Sequence, residues 1–117
     1  MKKIVIAFDV DGTLRCNREE EHRTKIVPNL RIVRLWETLS TFKNVELHIW
    51  SNRGADYCKE IAVLFDLQKV KGYHKKQWQA QREANDMWGE EYFKPDIAID
   101  DQQRFDGGVL NLIVREK

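Results

Sequence analysis

The sequence predicts an α/β fold: a three-layer α/β/α sandwich around a mostly parallel sheet of about five strands. Three observations lead there. Residues 4–8, IVIAF, form an apolar run without polar alternation, the pattern of a strand buried on both faces of a parallel sheet. Further strand candidates follow, separated by segments with helical apolar spacing, in the order β-α-β-α-β-α-β-β. Two strand candidates stop at carboxylates, DVD at 9–11 and DD at 100–101. In open α/β sheets the carboxyl edge of the strands is where ligands bind.

The first strand runs directly into Asp9, Val10, Asp11, Gly12 and Thr13. Asp9 and Asp11 can face one pocket, and Gly12 permits the sharp turn that follows. Residues 15–29, RCNREEEHRTKIVPN, are polar and crowded with charge, so they read as a solvated, mobile loop or flap. His22 and Arg23 are its candidates to reach over a substrate. Leu30, Val33, Leu35, Trp36 and Leu39 recur at helical spacing, which predicts an amphipathic helix over 29–42 capped by Asn29. Residues 45–50, VELHIW, form the second strand candidate, with His48 a hydrogen-bonded core or edge residue.

Residues 55–67 predict a second helix burying Ile61, Leu64, Phe65 and Leu67, and 69–73 a short edge-like strand. A third helix is expected over 75–88, burying Trp78, Ala84, Met87 and Trp88. Residues 95–101, PDIAIDD, are a fourth strand with an acidic end, and 109–114 a last strand after Gly107 and Gly108.

The 117 residues fit one domain, 1–117, with no room for a second. A formal net charge of +1 excludes a strongly electrostatic footprint for nucleic acid or a membrane surface, though not a local basic patch. Lys2 and Lys3 lead into an apolar run too short for a signal peptide, and no segment approaches membrane-spanning length. Cys16 and Cys58 have no CxxC spacing and no His partner, so a reduced, cytoplasmic protein is expected.

Paired carboxylates at a strand end have a specific chemistry. One can attack phosphorus or hold a metal, while the other gives a proton to the leaving oxygen and takes one from water. Such neighbours repel unless a cation lies between them, which predicts an oxygen-coordinated divalent ion, Mg²⁺. Ser51, another polar residue closing an apolar strand, is a natural phosphate anchor beside the free N–H groups of the next helix. Asn52 and Arg53 follow it, and Arg53 can add a bidentate guanidinium contact.

DVDGT after an apolar strand resembles the first motif of the haloacid dehalogenase-like (HAD) phosphohydrolases. The resemblance extends along nearly the whole chain, with Ser51 in the place of the second motif and Asp100-Asp101 in that of the acidic fourth. It implies a Rossmann-like core, Asp9 as nucleophile, Asp11 as general acid/base, and Thr13, Ser51, Asn52 and Arg53 around the phosphoryl group. Mg²⁺ would be held by Asp9, Asp11 through its main-chain carbonyl, and the acidic pair, with Asp101 the direct ligand and Asp100 behind it. Asp106 is a further candidate carboxylate. The family's lysine falls on Lys76 or Lys75 at the expected helix start, with Lys76 preferred; Lys94 would sit at the wrong end of its strand. Asp11 favours a phosphatase over a dehalogenase, which needs no proton donor there.

Neither interval between the motifs has room for a folded cap, so an open site is expected. That suits a bulky phosphomonoester such as a nucleic-acid end, or a small sugar or nucleotide phosphate if an oligomeric partner supplies a lid. The pattern SNR with AIDDQ is similar to that of the 3′-phosphatase part of phage polynucleotide kinases. Two rivals stand beside this reading. A receiver domain would carry its acidic pair after the first strand and lack DxDGT. A non-catalytic HAD-like binding domain would be expected to have lost Asp9 or Asp11, and both are present.

Overall fold

The computed structural model describes residues 2–77, 81, 83, 84, 92–102, 108 and 110–114. Its elements are β1 (Ile4–Asp9), a 3₁₀ turn (Glu20–Arg23), α1 (Leu30–Leu39), β2 (Val45–Ser51), α2 (Ala55–Leu64), β3 (Val70–Lys75), β4 (Ile97–Asp100) and β5 (Leu110–Ile113). The strands form one sheet in the order β3-β2-β1-β4-β5, and every pairing is parallel. The fold is therefore α/β and Rossmann-like, with a sheet that is wholly rather than mostly parallel.

Strand alternation divides the apolar residues between two faces. Ile6 and Phe8 of β1, Leu47 and Ile49 of β2 and Ile99 of β4 bury one face against Ile32, Val33 and Trp36 of α1 and Cys58, Ile61 and Ala62 of α2. The crossovers β1-α1-β2 and β2-α2-β3 step the same way across the sheet. Parallel crossovers are right-handed, so both helices must lie on the same face. Phe8 meets Trp36 edge to face at 5.0 Å between ring centroids, and the Trp36 indole donates to Gln68 O at 2.9 Å. Truncating Phe8 to Ala would cost about 3–5 kcal/mol.

On the other face Ala7, Trp50 and Ala98 pack with Phe93. His48 also lies there, as a hydrogen-bonded residue: its Nδ1 is 2.9 Å from His74 Nε2. That pair explains Gly72, where a Cβ would stand 2.7 Å from His74 Nε2 and 2.8 Å from His48 Nδ1. The β2–β3 register shifts at the same place.

Several boundaries differ from expectation. α1 stops at Leu39, and its buried stripe is Ile32, Val33 and Trp36, whereas Leu30 and Leu35 are exposed. Asn29 holds the N-cap position without a side-chain cap bond. α2 ends at Leu64, which is exposed; Leu67 is buried but lies past the helix, after Asp66 at φ 51°. Lys75 closes β3 instead of opening a helix. Residues 81, 83 and 84 are helical, but Ala84 is exposed rather than buried. The remaining residues of the expected third helix, with Trp78, Met87 and Trp88, and also Asp106 and Gly107, lie outside the described residues. Cys16 and Cys58 form no disulfide. Among the described residues, no helix is long and apolar enough to cross a membrane.

The chain moves from β1 outward through β2 to β3, then returns to add β4 and β5 on the other side of β1. The direction of winding thus changes between β1 and β4, and a crevice opens at their carboxyl ends. Asp9 ends β1 and Asp100 ends β4.

Candidate active site

Asp9 is 4% exposed, held at the crevice by a strand whose neighbours on both sides are in register with it. A carboxylate this deep needs a counter-charge, and Lys76 supplies one. Its Nζ donates to Asp9 Oδ1 and to Asp100 Oδ2, both at 2.9 Å, and the lysine is itself 3% exposed. Lys76 stands one residue past β3, with its N–H bonded to Ser51 O at 2.9 Å. It therefore reaches the site as an extension of the sheet ladder, not from a helix start. Lys75 and Lys94 are both exposed.

Asp100 is fully engaged. Lys76 takes Oδ2, and the Gln102 N–H donates to Oδ1 at 3.0 Å. Asp101 is half-buried and lines the cleft. Asp9, Asp100 and Asp101 each offer an oxygen within 4.8 Å of the others. Gly12 makes this approach feasible: at φ +85° it adopts a turn that side chains disfavour, and a Cβ there would overlap the Asp101 carboxylate.

Asp11 lies across the cleft. Tyr57 of α2 donates to Asp11 Oδ1 at 2.6 Å, and Arg15 Nη1 donates to the Tyr57 oxygen at 2.8 Å. Arg53 Nη1 is 3.8 Å from Asp11 Oδ2, and its guanidinium lies over the Tyr57 ring at 3.9 Å. Ser51 is buried and accepts from the Arg53 N–H at 3.0 Å.

The cleft between these groups has a volume of about 200 Å³. It brings together Asp9, Asp11, Ser51, Asn52, Arg53, Lys76 and Asp101 from the sequence-predicted set, and adds Asn17 and Gln102. Thr13 is not in it: fully buried, its hydroxyl donates to Asp9 Oδ2 at 3.3 Å from behind. His22 is not over the site either. It is buried in the 3₁₀ turn, where its Nδ1 accepts from the Glu19 N–H at 3.1 Å, and Arg23 is exposed and away from the cleft.

Tyr57 and Arg15 are not among the sequence-predicted residues. Tyr57 is third in a helix that starts just after the Ser51 strand end, and the first turn of such a helix faces the carboxyl edge of the sheet.

No protein-family model, no curated protein and no solved structure matches the chain.

Asp9 and Asp100 share one ammonium, and Asp101 lies beside them. Burial first, and then the Asp100 charge, push Asp9 up to about 8 against the opposing pull of Lys76. Burial and the adjacent Asp100 also raise Asp101. Burial works against the charge on Lys76, but Asp9 and Asp100 outweigh it and hold the ammonium above the usual lysine value. Burial and the bond to Asp11 raise Tyr57, so the phenol stays protonated as a donor. Burial and mutual repulsion thus favour a proton kept within the cluster. A divalent cation among carboxylate oxygens would supply the missing positive charge, and an all-oxygen donor set of this kind fits a hard ion.

Proposed function

We propose that this protein is a phosphomonoester hydrolase of the HAD kind, with Asp9 as nucleophile and Asp11 as general acid/base. The observation that carries the reading is Lys76, which ties Asp9 to Asp100 opposite a cleft wall made of Asp11, Ser51 and Arg53. Nucleophile, proton carrier and anion-binding groups thus surround a space the size of a phosphoryl group and its immediate neighbours.

In this reading a carboxylate oxygen of Asp9 forms a bond to phosphorus as the bond to the ester oxygen breaks. The leaving alkoxide takes the proton of Asp11. Water then attacks the aspartyl-phosphate, gives its proton to Asp11, and releases inorganic phosphate with Asp9 restored. Lys76, Arg53, the Ser51 hydroxyl and Asn52 meet the phosphoryl oxygens, where charge must be stabilised. Mg²⁺, held by Asp9 and Asp101 with the main-chain carbonyl of Asp11, would neutralise charge on those oxygens.

The cleft has polar lining throughout and encloses little beyond the phosphoryl group. This favours a substrate whose body stays outside, such as a nucleic-acid 3′-phosphate. The test is a Mg²⁺-dependent phosphatase screen over nucleotides, sugar phosphates and 3′-phosphorylated oligonucleotides. Oligonucleotide turnover should at least equal sugar-phosphate turnover and should fall with added salt. Strong preference for one small metabolite without salt dependence would contradict the nucleic-acid assignment.

A further inference from the structure

We infer that Tyr57, braced by Arg15, is a positioning residue that fixes which oxygen of Asp11 handles the proton. The inference rests on the reading of Asp11 as general acid/base and deepens it. A guanidinium has donors only, so the Tyr57 oxygen must accept from Arg15. The single phenolic proton is then left for Asp11 Oδ1, at 2.6 Å. The direction Arg15 to Tyr57 to Asp11 follows from the groups themselves.

A protonated carboxyl keeps its stronger acceptor on the carbonyl oxygen, and the short bond from Tyr57 holds Oδ1 in that role. The exchangeable proton of Asp11 is therefore favoured on Oδ2. That oxygen lies on the Arg53 side, and Arg53 lines the cleft.

The brace is rigid. Arg15 is 11% exposed on its side chain, and its Nη2 donates to His22 O at 2.8 Å and Lys25 O at 3.4 Å. The Tyr57 ring is packed in the core cluster, under the Arg53 guanidinium. Without the phenol, the Asp11 carboxylate could rotate toward Arg15, already 3.7 Å from Oδ1.

The experiment compares leaving groups in the first chemical step, with the wild type, Tyr57→Phe and Arg15→Met. Dinitrophenoxide leaves dinitrophenyl phosphate without protonation, whereas the alkoxide of an alkyl phosphate needs an acid. In Tyr57→Phe the alkyl-phosphate step should fall about tenfold or more, part of what general acid catalysis supplies. The dinitrophenyl burst rate and both KM values should stay within about twofold, and Arg15→Met should repeat the pattern more weakly. Equal losses with both leaving groups, or none with either, would overturn the inference.

A proton NMR measurement separates this from the phosphatase reading. The Tyr57 hydroxyl proton should appear as a slowly exchanging downfield resonance in the wild type and vanish in Asp11→Ala. A folded wild type without it overturns the brace. A wild type that shows it but hydrolyses no phosphomonoester supports the brace and sinks only the phosphatase reading.

Discussion

A Cβ on Gly12 would lie inside the carboxylate of Asp101, so the turn after β1 and the acidic end of β4 meet main chain against side chain. Gly12→Ala forces that contact apart and also places a side chain at φ +85°. The backbone term alone should cost roughly 1 kcal/mol or more. Mg²⁺ affinity should fall with it, because Asp101 must move. Denaturant unfolding and a Mg²⁺ titration check both; a variant with wild-type values in each would show that the two segments do not touch.

Lys76 is the only lysine among the described residues that reaches the acidic cluster. Lys76→Met leaves Asp9 and Asp100 buried without their cation. At pH 8 the loss should be about 3–5 kcal/mol, the range for removing one partner of a buried ion pair. At pH 5 it should be smaller, since protonation can relieve the repulsion. Urea unfolding at the two pH values measures this, and an equal loss at both would contradict it.

The acidic pair should divide its roles. Both oxygens of Asp100 are engaged by Lys76 and the Gln102 N–H, whereas Asp101 faces the cleft. Asp101→Ala should therefore weaken Mg²⁺ binding more than Asp100→Ala, and Asp100→Ala should cost more stability. The reverse order in calorimetric titration would exchange the two assignments.

Much of this site was legible because its chemistry sits at strand ends. Apolar runs closing at Asp9, Ser51 and Asp100 mark both the strands and the edge they share. The alternation of elements also foretold the parallel sheet. Helix faces were less legible: Leu30, Leu35 and Leu64 fit a core stripe by spacing but are exposed, Leu35 between the buried Val33 and Trp36. The family's spacing left Lys75 and Lys76 both open with Lys76 preferred, and the route of Lys76 through the β3 ladder depends on a pairing with Ser51 that no local pattern reveals. Arg15 and Tyr57, 42 residues apart, meet only because α2 packs beside the turn after β1. His22, a candidate to reach over a substrate, is instead buried in the 3₁₀ turn, where its Nδ1 accepts from the Glu19 N–H.

Without a divalent cation, stability should depend on pH through Asp9. Its pKa is about 8 in the folded protein against an ordinary 3.8, so the folded state binds the proton more tightly. That contribution is fully present below pH 3.8 and is lost as pH rises through about 8. Asp9→Asn has no such proton to lose. In EDTA, its melting temperature should gain on the wild type from pH 5 to pH 9, and Mg²⁺ should narrow the difference. A difference that stays flat with pH would contradict the electrostatic account of the cluster.

The central claim is that Asp9 attacks phosphorus, and turnover of a generic aryl phosphate by wild type and Asp9→Asn in Mg²⁺ tests it most directly. The wild type should release phosphate, fall silent with chelator, and bind beryllofluoride at Asp9. Asp9→Asn should keep the fold by circular dichroism and lose activity by about 10³-fold or more. Near-normal turnover by folded Asp9→Asn, or a wild type inert toward every phosphomonoester tried, would contradict the account.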